Sequence, residues 1–382
     1  MTEERIAVRV EDGSRQKVFL PRIESFRGLA ACVVGVHHTL SVLKSDEPPG
    51  WGLATLQHLF NGKAAVLVFF VLSGFVLGLS LDLPEPRNAI SNYAKFVARR
   101  FLRIYPAFLF SLAVILSYLF FLHHPMHYAA GSVWFNQWYQ SLPQWTNAID
   151  ILTFKDIQVN NVAWTLRSEI ICSCLLPPLH WVQRRLPLIG NMVVLTAILA
   201  GSRLLQNQFV GNLYLFYLGL CVPSLIRLKF VGRPTMHPLH YVALFICFVG
   251  ALQAGRETWM HNPMLAFLPG FGAFAFVLFV AVERHSWLHR ILNSPVARFY
   301  GRISYSFYLL HFIVLYTIAA AVLPHFDDPT ARSHYLSLSF FLIVTSVVAV
   351  TPLAYASWRW IEVPFIRLSK RFLTARFTDP PM

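Results

Sequence analysis

Two residues in the first apolar stretch are of types that can do chemistry away from water: Arg27 and His38. On a helix their separation of eleven residues turns through 1100°, about 20° beyond three full turns, so they share one face, with His38 about 16 Å further along the axis. His37 points about 100° away from that face. A neutral imidazole turned toward a bundle interior keeps a lone pair available. It can act as a general base or as an acyl-accepting nucleophile. The plainer uses are an interhelical hydrogen bond for His38 and contact with lipid phosphates for Arg27.

Other polar residues recur where lipid should have excluded them. Arg100 and Arg103, within Arg99-Arg100-Phe101-Leu102-Arg103-Ile104-Tyr105-Pro106, stand at i and i+3 and share a helical face at the expected cytoplasmic surface. Guanidinium groups clasp phosphates bidentately, which suits a nucleotide-bearing donor such as coenzyme A; ordinary basic decoration beside a membrane span is the rival reading. Trp164-Thr165-Leu166-Arg167-Ser168-Glu169 opens a later apolar stretch. Glu169, near the outer end of that helix, should avoid lipid and be satisfied by Arg167 or an incoming hydroxyl. Ser304, Tyr308 and His311 follow at i, i+4 and i+7, so one face of their helix is polar and must meet protein or water.

The elements that position these residues are helices in lipid. Of 382 residues, 56% are hydrophobic and only 13% charged, with 33 Phe and a mean hydropathy of +0.52. A soluble domain carries about 25% charged residues, so the composition excludes a soluble globular protein as well as disordered, collagenous and coiled-coil classes. The expected fold is an all-α polytopic membrane bundle of about ten transmembrane helices. The spans are predicted at 26–43, 64–81, 101–122, 166–182, 188–200, 209–226, 239–254, 264–282, 303–323 and 336–358. The five cysteines, Cys32, Cys172, Cys174, Cys221 and Cys247, lie in apolar stretches without CxxC spacing, so no metal site or disulfide framework is expected.

A formal charge of +14 could indicate nucleic acid, but its distribution points to topology. Most Lys and Arg fall in the termini and in alternate connections, among them Arg22, Arg87, Lys95, Arg184, Arg227, Arg284 and Arg367. The opposite connections hold Lys44, Lys63, Lys155, Arg203, Arg256 and Arg332. This asymmetry follows the positive-inside rule and places both termini in the cytoplasm, with no nucleic-acid partner. No small-residue cleavage site follows the first span, so it reads as a retained helix. The longest connection, 123–163, then lies outside. Its Trp134, Trp138 and Trp145, with Tyr128 and Tyr139, form either an interfacial belt or a platform for a sugar or lipid acceptor.

Taken in order, these pieces resemble the integral membrane acyltransferase type 3 family, which includes bacterial O-antigen acetylases. Glu24-Ser25-Phe26-Arg27-Gly28-Leu29-Ala30 followed by His38 is similar to the first-helix signature, and Phe69-Phe70-Val71-Leu72-Ser73-Gly74-Phe75 to the second-helix motif. The arginine pair with Tyr105-Pro106 resembles the RxxR motif, Trp164 to Glu169 the W-[ST]-L-x-x-E element, and residues 303–312 the I-S-Y-S-x-Y-L-x-H segment. Trp360-Ile361-Glu362-Val363-Pro364 resembles the C-terminal E-x-P. Glu24 stands where Asp is commoner, and Arg167 where a neutral residue is usual. Some relatives carry a fused esterase-like domain, and the short segment after the last expected span leads us to expect none here.

The resemblance implies transfer of an acyl group, often acetyl, from cytoplasmic acyl-coenzyme A to a hydroxyl of a glycan, a lipid-linked sugar or another small acceptor. The setting it implies is the inner membrane of a bacterium, in contact with membrane lipids. No bound cofactor is implied; acyl-coenzyme A is a substrate. By the same resemblance Arg100 and Arg103 engage the donor, His38 with Arg27 is catalytic, and Glu24, Ser73, Trp164, Glu169, Ser304, Tyr308 and His311 support the acceptor side. The expected organisation is a cytoplasmic segment 1–25, the transmembrane domain 26–362 and a cytoplasmic tail 363–382. A secondary transporter, with Pro269-Gly270 as a half-helix break, and a lipid-binding assembly partner without chemistry are the alternatives from other classes.

Overall fold

The computed structural model describes residues 21–44, 51–81, 89–205, 208–227, 246, 249–252, 267–282, 287–326 and 335–374. The described residues form helices: α1 (Pro21–Leu40), α2 (Trp51–Leu59), α3 (Gly62–Leu81), α4 (Ala89–Phe121), α5 (Val133–Asn136), α6 (Ala148–Leu152) and α7 (Ala163–Arg185). They continue with α8 (Leu188–Leu205), α9 (Gln208–Arg227), α10 (Leu268–Val282), α11 (Trp287–Leu292), α12 (Pro295–Val322), α13 (Tyr335–Ser357) and α14 (Val363–Thr374). One five-residue π-helical turn, Trp358–Glu362, joins α13 to α14. Nine of the ten expected spans coincide with a helix; most of the remaining one, 239–254, lies outside the described residues, as do most of 1–25 and the end of 363–382.

Among the described residues, six helical stretches are long and apolar enough to cross a membrane. Helices α1 and α7 are not among them because they carry the charged and imidazole groups of the site; α10 is apolar but short. Helix α8 shows how lipid takes the place of a protein neighbour. Its Leu188, Ile189, Met192, Val193, Leu204 and Leu205 are all exposed, an apolar surface that water would not tolerate. Its buried residue, Asn191, donates to the carbonyls of Gln183, Leu186 and Pro187 and accepts from Tyr217 Oη at 2.6 Å, which fixes the turn between α7 and α8. The chain is an integral membrane protein.

Helix α12 is the central post, packed by α1, α13 and α4, while α3 joins α1 to α9 and α7. Ser294 caps its N-terminus by accepting from Ala297 N at 3.2 Å, and Pro295 fits the first turn, where no N–H partner is needed. Helices α1 and α12 run parallel at close range. A Cβ on Gly28 would lie 2.5 Å from Gly301 N, and one on Gly301 2.8 Å from the Glu24 carbonyl carbon. Without side chains at those two positions the backbones touch, the small-residue packing that membrane helices use. Helix α10 begins at Leu268, so Pro269-Gly270 stands in its first turn. Gly270 is there because Tyr214 fills the space a Cβ would need.

The connection 123–163 departs from expectation. Tyr128, Trp138 and Tyr139 are buried, so they do not form an interfacial belt. The connection folds back into the bundle: Tyr105 Oη donates to Leu152 O at 3.2 Å, the Phe154 ring lies 4.5 Å from that of Phe108, and Asn160 Nδ2 donates to Ser111 Oγ at 3.1 Å. These contacts fall about 15 to 25 Å short of the C-terminal end of α4. Buried Tyr139 and Phe154 adopt positive φ, 57° and 58°, a costly conformation for aromatic residues that the surrounding packing holds in place. The backbone after α1 clips to this loop, with Ser132 N donating to Val42 O at 2.8 Å and Lys44 N to Ala130 O at 3.0 Å.

Candidate active site

Parallel packing of α1 on α12 has a chemical consequence ten residues beyond the glycine contact. His38 Nδ1 meets His311 Nε2 at 2.9 Å, with the rings stacked 5.1 Å apart at 16°. His311 Nδ1 lies 2.8 Å from Tyr308 O, a carbonyl that can only accept, so Nδ1 carries the proton and Nε2 of a neutral His311 is an acceptor. His38 Nδ1 must then donate, which leaves the lone pair of His38 on Nε2. Two hydrogen bonds thus choose the tautomer of His38. His37, on another face, donates from Nδ1 to Phe60 O at 3.1 Å and lies outside this hydrogen-bonded chain.

His38 stands in the last turn of α1, nearer the helix end than a span over 26–43 predicts. The folded-back loop covers it: Trp134 of α5 lies 5.2 Å from its ring and Phe312 5.8 Å. The sequence marks Trp134 only as one of several aromatics in the connection. The clip between residues 42–44 and 130–132, which brings it over the histidine, has no sequence signal.

Toward the other end of α1 lies a small, partly open cavity of about 40 Å³. Arg27, Ser73, Glu169, Ser304 and Tyr308 line it, joined by Thr165, and His38 does not. Thr165 and Glu169 are i and i+4 on α7, one inward face, while Trp164 packs partly buried elsewhere. Thr165 was legible as part of the Trp164 to Glu169 element but not singled out; its hydroxyl bonds Tyr308 Oη at 3.0 Å. The stripe on α12 therefore does face protein: Ser304 and Tyr308 reach the cavity and His311 reaches His38.

Glu169 is paired with Arg100 at 2.5 Å, with Ser73 Oγ donating more distantly at 3.5 Å. This corrects the expectation that Arg167 would satisfy it. Arg167 lies over the Phe209 ring at 4.6 Å, because residues i and i+2 project about 200° apart on a helix. The pairing turns Arg100 inward, while Arg103 remains exposed. Helix α4 starts at Ala89, so both arginines sit well inside it, and Arg103 lies within electrostatic range of Arg27, Arg100, Glu169 and Glu362. Glu24 meets α12 through its backbone, against Gly301.

Glu362, in the π turn, is buried and accepts from Ser306 N at 3.0 Å and Ser306 Oγ at 2.5 Å. The wider turn aims this carboxylate at α12. Tyr305 Oη donates to Ile104 O at 2.8 Å, tying α12 to α4 on the same level.

A model of an acyltransferase domain matches residues 20–358. Nodulation protein 10 of Rhizobium leguminosarum bv. viciae is 25% identical, over 92% of this chain and 95% of that protein. The O-acetyltransferase OatA of Staphylococcus aureus is 20% identical over 91% of this chain, and the match spans 57% of OatA. No solved structure matches the chain significantly.

Proposed function

The chain belongs to the acyltransferase type 3 family and is an O-acyltransferase; from that premise we propose that it moves an acetyl group from acetyl-coenzyme A to a hydroxyl of a carbohydrate or glycolipid, with His38 as general base. The donor arrives from the side of Arg27, Arg100 and Arg103, whose guanidiniums suit its phosphates, and its thin pantetheine arm points into the cavity, which widens to admit it. The acceptor approaches from the side of Trp134, whose indole offers a sugar a stacking surface. His38 Nε2 takes the proton of the hydroxyl as its oxygen attacks the thioester carbonyl; the tetrahedral intermediate then expels the thiolate, which leaves with that proton. Positive charge developing on His38 is stabilised through Nδ1–H by His311, a positioning residue.

The observation that carries this reading is the chain from Tyr308 O through His311 to His38, which leaves the free lone pair on one atom. Acetyl and hydroxyl as the transferred and receiving groups follow the relative named an O-acetyltransferase. About ten spans with both termini cytoplasmic, in a bacterial inner membrane, complete the proposal. Parallel α1 and α12 agree with it, since first and ninth spans cross in the same direction. A transporter would leave the histidine chain without a use.

The test is label transfer from radioactive acetyl-coenzyme A in membranes holding wild type, His37→Ala or His38→Ala, with cell-envelope glycans as acceptor. Transfer by wild type and His37→Ala but not His38→Ala is expected. Activity in His38→Ala at normal abundance would end its assignment as the base.

A further inference from the structure

A second concave site lies away from the cavity, where α12, α13, the π turn and α14 meet. Phe299, Arg302, Tyr355, Trp358, Arg359 and Arg367 line this open cleft of about 550 Å³. Arg302 approaches the Trp358 ring at 5.9 Å, and Tyr355 joins the rings of Trp358 and Phe299 at 5.7 and 6.0 Å. Among the described residues, none of the three arginines forms an ion pair, and no carboxylate lines the cleft. The nearby carboxylate of Glu362 is turned inward to Ser306. Around α12, Ser304 and Tyr308 of the cavity lie roughly 120° to 180° from Phe299 and Arg302, so the two sites open on different sides of the helix.

We propose that this cleft binds the phosphate headgroup of an anionic phospholipid. Three guanidiniums without a protein counter-ion match a phosphodiester, to which each can donate bidentately, and the aromatic walls suit the interfacial region where headgroups lie. The surface below it fits the rest of the molecule. Phe341, Val344, Val348 and Tyr355 are all exposed at i, i+3, i+7 and i+14 of α13, an apolar stripe that leads into the cleft and can carry an acyl chain. A free nucleotide would have no use for that stripe. Helix α14, which supplies Arg367, is strongly amphipathic with Lys370 on its polar side, as helices lying in the membrane interface are. Scattered basic residues also follow from topology, but those need no concave, aromatic-walled setting. The proposal rests on the membrane setting and not on acyl transfer.

The experiment is native mass spectrometry of the full chain in detergent, titrated with phosphatidylglycerol or phosphatidylcholine. Arg302→Ala/Arg359→Ala/Arg367→Ala should weaken phosphatidylglycerol binding at least about tenfold and phosphatidylcholine binding, whose phosphodiester is balanced by its own ammonium, by a clearly smaller factor. Adenosine 3′,5′-bisphosphate should not displace the bound lipid. Wild-type phosphatidylglycerol affinity in the triple variant, an equal loss in the control Arg184→Ala/Arg185→Ala, or displacement by the nucleotide would each overturn the proposal. If the alanine variant does not elute as folded protein, Arg302→Lys/Arg359→Lys/Arg367→Lys carries the test. It keeps the charges but loses the bidentate fork, so about threefold weaker binding is expected and unchanged affinity refutes the site.

Discussion

Removing the acceptor that His311 offers to His38 tests the histidine chain most directly. His311→Phe keeps an aromatic ring stacked on His38 and against Phe307, but leaves His38 Nδ1–H without its partner at 2.9 Å. In the ground state that is one neutral hydrogen bond. As His38 takes a proton, the same bond becomes one to a charged donor, worth about 1.5–3 kcal/mol. Net of the neutral bond's own ~0.5–1.5 kcal/mol, about 1–1.5 kcal/mol is gained only in the transition state, so at roughly 1.4 kcal/mol per factor of ten kcat should fall about 5- to 12-fold, more if the freed imidazole also changes tautomer. KM for acetyl-coenzyme A should stay within about twofold, since an interaction made only in the transition state acts on kcat. His311→Gln, whose amide oxygen can accept from His38, should recover part of the loss. Steady-state transfer of labelled acetyl by purified variants with wild-type gel-filtration profiles is the assay. The reasoning fails if His311→Phe keeps more than about a third of kcat, if the loss appears in KM, or if Gln is no better than Phe.

Gly28→Ala should destabilise the protein by about 1–3 kcal/mol, because its Cβ would meet backbone that cannot yield, whereas Gly201→Ala in α8, with open space around it, should be neutral or slightly stabilising. Thermal unfolding in detergent compares the two. Arg100→Gln or Glu169→Gln alone should cost about 3–5 kcal/mol by stranding a mostly buried charge. The double variant should cost clearly less than their sum, and additivity in a denaturation cycle would deny the pairing. Trp134→Ala should raise the acceptor KM several-fold with donor KM unchanged; the opposite pattern would remove Trp134 from the acceptor side.

What could be read from the chain itself depends on rules that act over a few residues. Apolar length marks helices, and nine of the expected spans coincide with one. Helical periodicity places Ser304, Tyr308 and His311 on one inward face, and the structure keeps them there. The same rule applied to residues 167 and 169 argues against an Arg167–Glu169 pair, since they project to opposite sides. Residue type and motif order also sufficed to identify the family.

The partners were decided in three dimensions. Nothing local to α1 selects His311, 273 residues away; the contact exists because Gly28 and Gly301 let two parallel backbones touch ten residues earlier. Glu169 received Arg100 because α4 begins at Ala89 and the loop before α7 folds back along it, so α7 starts beside the middle of α4. That same loop, fastened to the end of α1 by backbone hydrogen bonds, set Trp134 over His38. Backbone donors and acceptors are alike at every residue, so the sequence shows which side chains can do chemistry and on which helix face. Only the packing determines which of them meet.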